Sequence, residues 1–358
     1  MKDRIYVCHT FYHVYIACLK EFYAADGKGA SLVLSKMSNR FGTLKERAER
    51  SGIFEAVYEY DEKPAQFFPE LAPLKEDAGN IVLNMFKRIR FCKALAKRQE
   101  KYVPVDFREY GAVYVFCDSD PIGYYLDWKK IPYHALEDGL DCIKNYDTAR
   151  YDNRGHFGIK AFMSSLGLIH IQNGYAKYCI DMEVNDISVL QYPCKKYVEL
   201  PRKKLTEHLT AAEKELLLAL FVEDLPALKS VLGKGNEDAP PTLLVLTGPL
   251  CDADTRKRIF RDIVDRYDVI DGRKASVIIK QHPRDLVDYH EVLPEALILD
   301  AGFPMEMFNF LEDICFDRLV GVYTEMEAIA FAKEKIRLGH DFMDVYEDPE
   351  KHRFNEAI

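Results

Sequence analysis

Short apolar runs alternate with stretches of helical periodicity from the first residues of the chain. Arg4 to Thr10 (RIYVCHT) reads as a strand, and Phe11 to Ala25 carries apolar residues at helical spacing. The alternation continues through Ala30–Ser35, a charged helix near Thr43–Ser51, Phe54–Tyr60 and a long helix over Ala78–Gln99. Ala112–Asp118 (AVYVFCD) and Tyr133–Glu137 (YHALE) have the pattern of strands buried on both faces. Strands alternating with helices predict a parallel sheet covered on both sides. The middle of the chain is less regular, with polar or Pro-containing stretches at Tyr146–Gly155 and Pro193–Lys204 and an amphipathic helix over Glu207–Phe221.

Gly233–Pro241 (GKGNEDAPP) sustains neither regular structure and reads as a linker. After it the alternation restarts. Strands are expected at Thr242–Leu246, Ser276–Lys280, Ala296–Leu299, Arg318–Val322 and Lys335–Leu338. Helices are expected at Ala253–Tyr267, Met305–Leu311 and Glu325–Lys333. The fold class is therefore α/β, with two Rossmann-like, doubly wound domains. Residues 1–232 form the first, with helical insertions, 233–241 the linker and 242–358 the second. Ligands of such sheets bind beyond the carboxyl ends of the strands, so the residues that follow each strand are the candidates for chemistry.

Composition narrows the function classes. The 358 residues include 49 Lys+Arg and 58 Asp+Glu, a net charge of −9, which disfavours binding along a nucleic-acid backbone. Nine scattered cysteines contain no CxxC pair, so neither a zinc ribbon nor a dithiol redox site is indicated. No apolar run reaches the ~20 residues of a membrane span, and no signal peptide is evident. A cytoplasmic, reduced protein is the expectation.

Four strand ends carry candidate chemistry. Glu137-Asp138-Gly139 closes YHALE with two acids on a tight turn, where a carboxylate could take a proton from an attacking hydroxyl. The alternative is that Asp138 caps the next helix. His282-Pro283-Arg284 follows SVIIKQ, with Lys280 two residues upstream, and makes a cationic cluster suited to phosphate. Glu306 falls in the first turn of its helix, placed either for the helix dipole or for ribose hydroxyls. Tyr323-Thr324 follows RLVGV, and Thr324 is expected to cap the helix from Glu325, where free N–H groups would bind an anion; capping alone explains Thr324 equally well.

Other signals compete. Asp118-Ser119-Asp120 is similar to a metal-holding DxD string, but the same residues serve equally as a cap for the helix near Pro121. His9, Thr10 and His13 lie at the edge of the first strand, where substrate contact is preferred over metal binding. No metal site is assigned. Neither a strand-linked GxGxxG nor a Walker A string is present.

Together these points resemble bacterial sialyltransferases, and most closely the family 52 glycosyltransferases that include lipooligosaccharide sialyltransferases. That group is marked by a D/E-D/E-G motif, an HP motif and a later Ser/Thr motif, similar here to Glu137-Asp138-Gly139, His282-Pro283 and Tyr323-Thr324. The opening VCHTFYHVYIA resembles the family's N-terminal strand–helix start. The resemblance implies a GT-B architecture with an acceptor-side first domain and a nucleotide-sugar-binding second domain. It also implies an inverting, metal-independent transfer of sialic acid from CMP-sialic acid to a terminal sugar of a lipooligosaccharide or capsule-type glycan. By motif position Asp138 would be the general base and His282 would assist departure of CMP. Lys280, Pro283, Arg284, Glu306, Tyr323 and Thr324 would hold the donor, and His9, Thr10, Glu137 and Gly139 the acceptor side. One departure stands out: the family shows two adjacent small hydroxyl residues at its last motif, whereas this chain has Tyr323 before Thr324.

No cofactor is expected beyond the donor substrate. The expected partners are a nucleotide-sugar donor and a glycan acceptor, without nucleic acid. Contact with a membrane surface and a homodimer stay open. Two other readings are carried: a UDP-sugar-dependent transferase or epimerase of the same fold, and a non-catalytic nucleotide- or glycan-binding protein.

Overall fold

A computed structural model describes residues 2–139, 142–143, 147–192, 194–232, 239–299, 301–312 and 314–352. The chain divides into two compact units, Met1–Thr210 and Ala211–Ile358.

The first unit runs β1 (Lys2–Cys8), α1 (Phe11–Ala24), β2 (Ala30–Ser35), α2 (Leu44–Ser51), β3 (Ala56–Tyr60), α3 (Ile81–Gln99), β4 (Tyr110–Phe116), α4 (Pro121–Lys129) and β5 (Tyr133–Leu136). It continues with α5 (Thr148–Asp152), α6 (Phe157–Ser165), β6 (Cys179–Val184), β7 (Tyr197–Glu199) and α7 (Arg202–Thr206). The seven strands are all parallel, in the order β3-β2-β1-β4-β5-β6-β7. Every residue of β2 is buried, as a strand covered on both faces requires. Strand order reverses between β1 and β4, which are paired from Lys2↔Tyr110 to Val7↔Val115. That reversal opens a crevice at their carboxyl ends, and His9 and Asp118 flank it. Long helix α3 starts at Ile81, later than the apolar spacing implied, because the Asn80 side chain accepts the N–H groups of Val82 and Leu83 and closes the first turn.

The second unit contains α8 (Ala211–Phe221), α9 (Leu225–Leu232), β8 (Thr242–Leu246), α10 (Ala253–Tyr267), the short ribbon β9 (Val269–Ile270) and β10 (Arg273–Lys274), then β11 (Ser276–Lys280), β12 (Leu297–Leu299), β13 (Phe316–Val322), β14 (Ala332–Leu338), α11 (His340–Met343) and α12 (Pro349–His352). Its five-stranded parallel sheet has the order β12-β11-β8-β13-β14, the same plan with β8 and β13 at the reversal. The core is built from Leu243, Val245, Ile259, Phe260, Ile263, Ile279 and Val320.

Three expectations need correction. The units divide at Thr210/Ala211 and not at 233–241, because α8 packs against the 3₁₀ turn Met305–Phe310 of the second unit. Residues 233–238 of the expected linker lie outside the described residues. The helix expected over Glu207–Phe221 starts only at Ala211, as α8, because the chain leaves α7 at Thr206 and turns through 207–210. No helix forms over Glu325–Lys333: β14 begins at Ala332 and pairs with β13 from Phe316 onward. The carbonyls of Met326 and Ile329, which a helix would have used, accept instead from Lys335 Nζ at 3.1 and 2.8 Å.

Candidate active site

The crevice of the first unit gathers residues from four elements. Thr10 caps α1, its hydroxyl accepting the His13 N–H at 3.1 Å, so its side chain is occupied in holding the helix start. His9 ends the strand segment before it and is buried, with Nε2 2.8 Å from Glu62 Oε2 and 3.5 Å from Asp120 Oδ2. Glu62 also accepts from Ser35 Oγ at 2.6 Å and from the Ile122 N–H at 2.7 Å. Burial, the largest single effect, would lower the His9 pKa, but the charge and hydrogen bond of Glu62, with Asp120 and Asp138, together outweigh it and raise the ring to about 9. Asp120 is pushed up to about 7 by burial and by its acidic neighbours, although His9 pulls it down.

Asp138 stands at the carboxyl end of β5 and meets Nε2 of His13, a ring with no solvent exposure, while 41% of its own side chain stays open to solvent. Burial pushes the carboxyl up, yet the His13 contact and hydrogen bonds from His13 and Cys117 leave it below the usual value. Asp138 is therefore a carboxylate at neutral pH. It caps no helix among the described residues; Asp147 caps α5 instead. Gly139 takes φ +148°, a conformation only glycine adopts readily, which frees the turn beside the acid.

Glu137, expected on the acceptor side, and Asp118, of the competing DxD string, are used elsewhere. Glu137 is buried, its Oε2 accepting the Asn185 N–H at 2.6 Å, so it ties β5 to the segment after β6. Asp118 is buried with Oδ2 on the Tyr133 hydroxyl (2.9 Å) and Oδ1 on the Asn173 N–H (3.0 Å). Both Asp118 oxygens are thus engaged inside the fold. His9, His13 and Cys117 are the one group among the described residues whose ligand atoms approach one another as metal ligands do, within 4.8 Å. Both His13 nitrogens already face hydrogen-bond partners, so a cation there would have to displace Asp138 or the His9 N–H.

In the second unit the motifs converge at the carboxyl ends of β8, β11 and β13. The His282 N–H donates to Thr247 Oγ1 at 3.1 Å, and His282 Nδ1 accepts the Arg284 N–H at 3.1 Å. With Nδ1 accepting, the ring proton sits on Nε2. Burial, then the charges of Arg284 and Lys280, lower this histidine to about 4. The expected cluster of three cations is therefore two cations and a neutral imidazole. Lys280 is buried, donates to the Gln281 carbonyl at 3.0 Å and lies 4.3 Å from the Phe303 ring centroid; Arg284 is exposed. Pro283 sits between the two in a turn closed by the Asp285 N–H on the His282 carbonyl at 2.8 Å. Glu306 opens the Met305–Phe310 turn, and burial raises its carboxyl against the pull of Lys280.

Thr324 caps no helix, since none starts there; its hydroxyl lies 3.4 Å from the Val322 carbonyl. The anion site expected from helical N–H groups at that point is absent among the described residues. Tyr323 takes φ +58° and turns its hydroxyl to His340 Nδ1 at 3.0 Å. Sequence reasoning missed Glu62, Cys117 and Asp285. Glu62 follows a strand end without any recognisable string, Cys117 reads as the apolar end of a buried strand, and Asp285 gains its meaning only from the Arg256 side chain of a distant helix.

The profile of glycosyltransferase family 52 matches residues 73–323, which span the Glu137-Asp138-Gly139 and His282-Pro283 motifs and end on Tyr323. An uncharacterized protein of Haemophilus influenzae is 25% identical over 132 residues, 36% of this chain and 39% of that protein. The match thus spans about two fifths of that relative. Among solved structures, an alpha/beta-galactoside alpha-2,3-sialyltransferase of Photobacterium phosphoreum is similar with a TM-score of 0.53 at 11% identity, covering 94% of this chain and 90% of that one. A sialyltransferase GT-B domain of Photobacterium damselae gives 0.47 at 10% identity, covering 94% and 100%. With two Rossmann-like sheets and a family profile covering most of both, the chain belongs to glycosyltransferase family 52 and has the GT-B fold.

Proposed function

We propose that this protein is an inverting sialyltransferase that moves sialic acid from CMP-sialic acid to a terminal sugar of a cell-surface glycan of the lipooligosaccharide or capsule type. The observation that carries the reading is Asp138: an ionised, half-open carboxylate at the ligand-binding edge of the first sheet, within the motif expected to hold the base. In the proposed step the acceptor hydroxyl attacks the anomeric carbon of the donor and its proton passes to Asp138. The bond from that carbon to the phosphate oxygen breaks, and CMP leaves with the electron pair. His282 Nε2–H donates a hydrogen bond to the phosphate, while Lys280 and Arg284 offset its charge. Glu306 is assigned to the ribose hydroxyls and the Thr324 hydroxyl to the phosphate. As proposed, the step draws on no divalent cation.

The test is a thermal-shift screen of the purified chain with CMP, CMP-sialic acid, UDP and UDP-sugars, followed by transfer assays. Stabilisation by CMP and CMP-sialic acid, with Asp138→Ala retaining the CMP shift and losing transfer, supports the reading. Stabilisation by a UDP-sugar in the absence of any CMP effect overturns the donor assignment.

A further inference from the structure

The histidine in the first turn of α1 is where the first unit goes beyond its motifs. His13 is fully buried and stacks flat on Phe116, ring centroids 4.3 Å apart and planes 5° from parallel. Its N–H is tied to the Thr10 hydroxyl, and its Nδ1 accepts the backbone N–H of His9 at 3.0 Å. An imidazole nitrogen that accepts carries no proton, so the single proton of the ring must lie on Nε2, the atom that faces Asp138. We propose that His13 is the positioning residue of the catalytic base: its Nε2–H holds one oxygen of Asp138, fixing the rotamer and turning the solvent-open side of the carboxylate to the acceptor hydroxyl.

This inference rests on the assignment of Asp138 as the base. It also limits what His13 does. A second proton on the ring would have to go on Nδ1, against the His9 N–H, so His13 cannot take over the proton that Asp138 accepts. The proton stays on the carboxyl until product leaves and then returns to solvent through the open side of Asp138. Burial lowers the His13 pKa, which agrees with a ring that stays neutral. The other titratable groups facing Asp138 are Cys117, His9, Asp120, Glu137 and Cys142. Of these, Cys117 also donates to the carboxylate, while the acids push it the other way.

Three variants separate the roles in the full chain. His13→Phe keeps the stacking on Phe116 and loses the donor; His13→Gln keeps a donor; Asp138→Asn removes the base. Expected for His13→Phe is a roughly 10–100-fold fall in kcat, the scale of losing one hydrogen bond to a charged group. The KM for CMP-sialic acid and the CMP thermal shift should stay within about two-fold of the parent, and the acid limb of kcat should move to higher pH. Substantial recovery of kcat in His13→Gln is expected. Equal impairment in both variants, or an unmoved acid limb in His13→Phe, overturns the proposal. Turnover retained in Asp138→Asn removes the base assignment itself and is read separately from the His13 results. Independently of any variant, ¹⁵N NMR of the labelled wild-type chain should show His13 as the Nε2–H tautomer without titration from pH 5.5 to 8.5, roughly the range of an unperturbed histidine; an Nδ1–H tautomer or titration in that range also overturns it.

Discussion

Arg256 of α10 and Asp285, one residue beyond the His282-Pro283-Arg284 string, form a buried ion pair at 2.6 Å. Asp285 has no solvent exposure at its carboxylate and also accepts from the Tyr289 hydroxyl at 2.6 Å, while Arg256 donates to the Cys251 carbonyl. The loop that carries His282 is thereby anchored to the start of α10, behind the site. Asp285→Ala leaves the guanidinium without its partner, which in buried pairs costs about 3–5 kcal/mol. Urea unfolding should register that loss, and the variant should bind CMP more weakly because His282 and Arg284 lose their support. Tyr289→Phe removes only one neutral donor and should cost about 1 kcal/mol.

The acid cluster around His9 makes stability fall with rising pH. His9 has a folded pKa of about 9 against an unfolded value of 6.5, so its contribution is complete below pH 6.5 and is lost as pH rises through 9. Asp120, raised to about 7 from 3.8, acts in the same direction: the folded state holds its proton longer, and stability declines between pH 4 and 7. Melting temperatures across pH 5 to 9.5 should therefore decline on the alkaline side, and Glu62→Gln should flatten the decline above pH 6.5. An unchanged slope in Glu62→Gln would show that His9 is not the group responsible.

Gly123 lies in the first turn of α4, and a Cβ there would sit 1.9 Å from the Asp118 carbonyl oxygen and 3.0 Å from His170 Nε2. Alanine is the better helix former by about 1 kcal/mol, but backbone cannot yield as a side-chain tip can. The clash should win, with Gly123→Ala destabilised by about 1–3 kcal/mol as measured by denaturant unfolding. Because the strain falls on the segment that places Asp120, the His9-linked pH dependence should shift as well.

Tyr323 departs from the small hydroxyl residue of its family's last motif, and its ring is engaged with His340. Tyr323→Phe should keep the KM for the donor within about two-fold and cost about 1 kcal/mol of stability, the usual worth of one hydrogen bond. A larger rise in KM would place the phenol on the donor.

The strands were legible because a parallel strand buried on both faces has to be apolar throughout: Ala30–Ser35, Thr242–Leu246 and Ser276–Lys280 appear in the fold with the bounds their composition implied. Cys179–Val184 was not, since its isolated acids resemble a loop until β5 and β7 pair with it. The helix expected after Thr324 failed for a related reason: helical spacing is only a preference, and Lys335 together with the β13 ladder offered its carbonyls and N–H groups other partners.

The site divides in the same way. Residue types and their order along the chain were enough to mark Asp138, His282, Glu306 and Thr324, because a family's chemistry leaves short strings at strand ends. Which of the marked residues face one another was beyond it. Glu137 and Asp138 are adjacent in the chain, yet one is spent on Asn185 and the other stands open to solvent. The proton on His13 is placed by a backbone N–H four residues away, and the histidine of the HP motif is neutral because of what surrounds it. The sequence by itself determined the two Rossmann-like sheets and the chemical groups at their edges, since periodicity and composition are properties of the chain. Protonation state, partner and orientation depend on distances in space, and those only the tertiary structure decided.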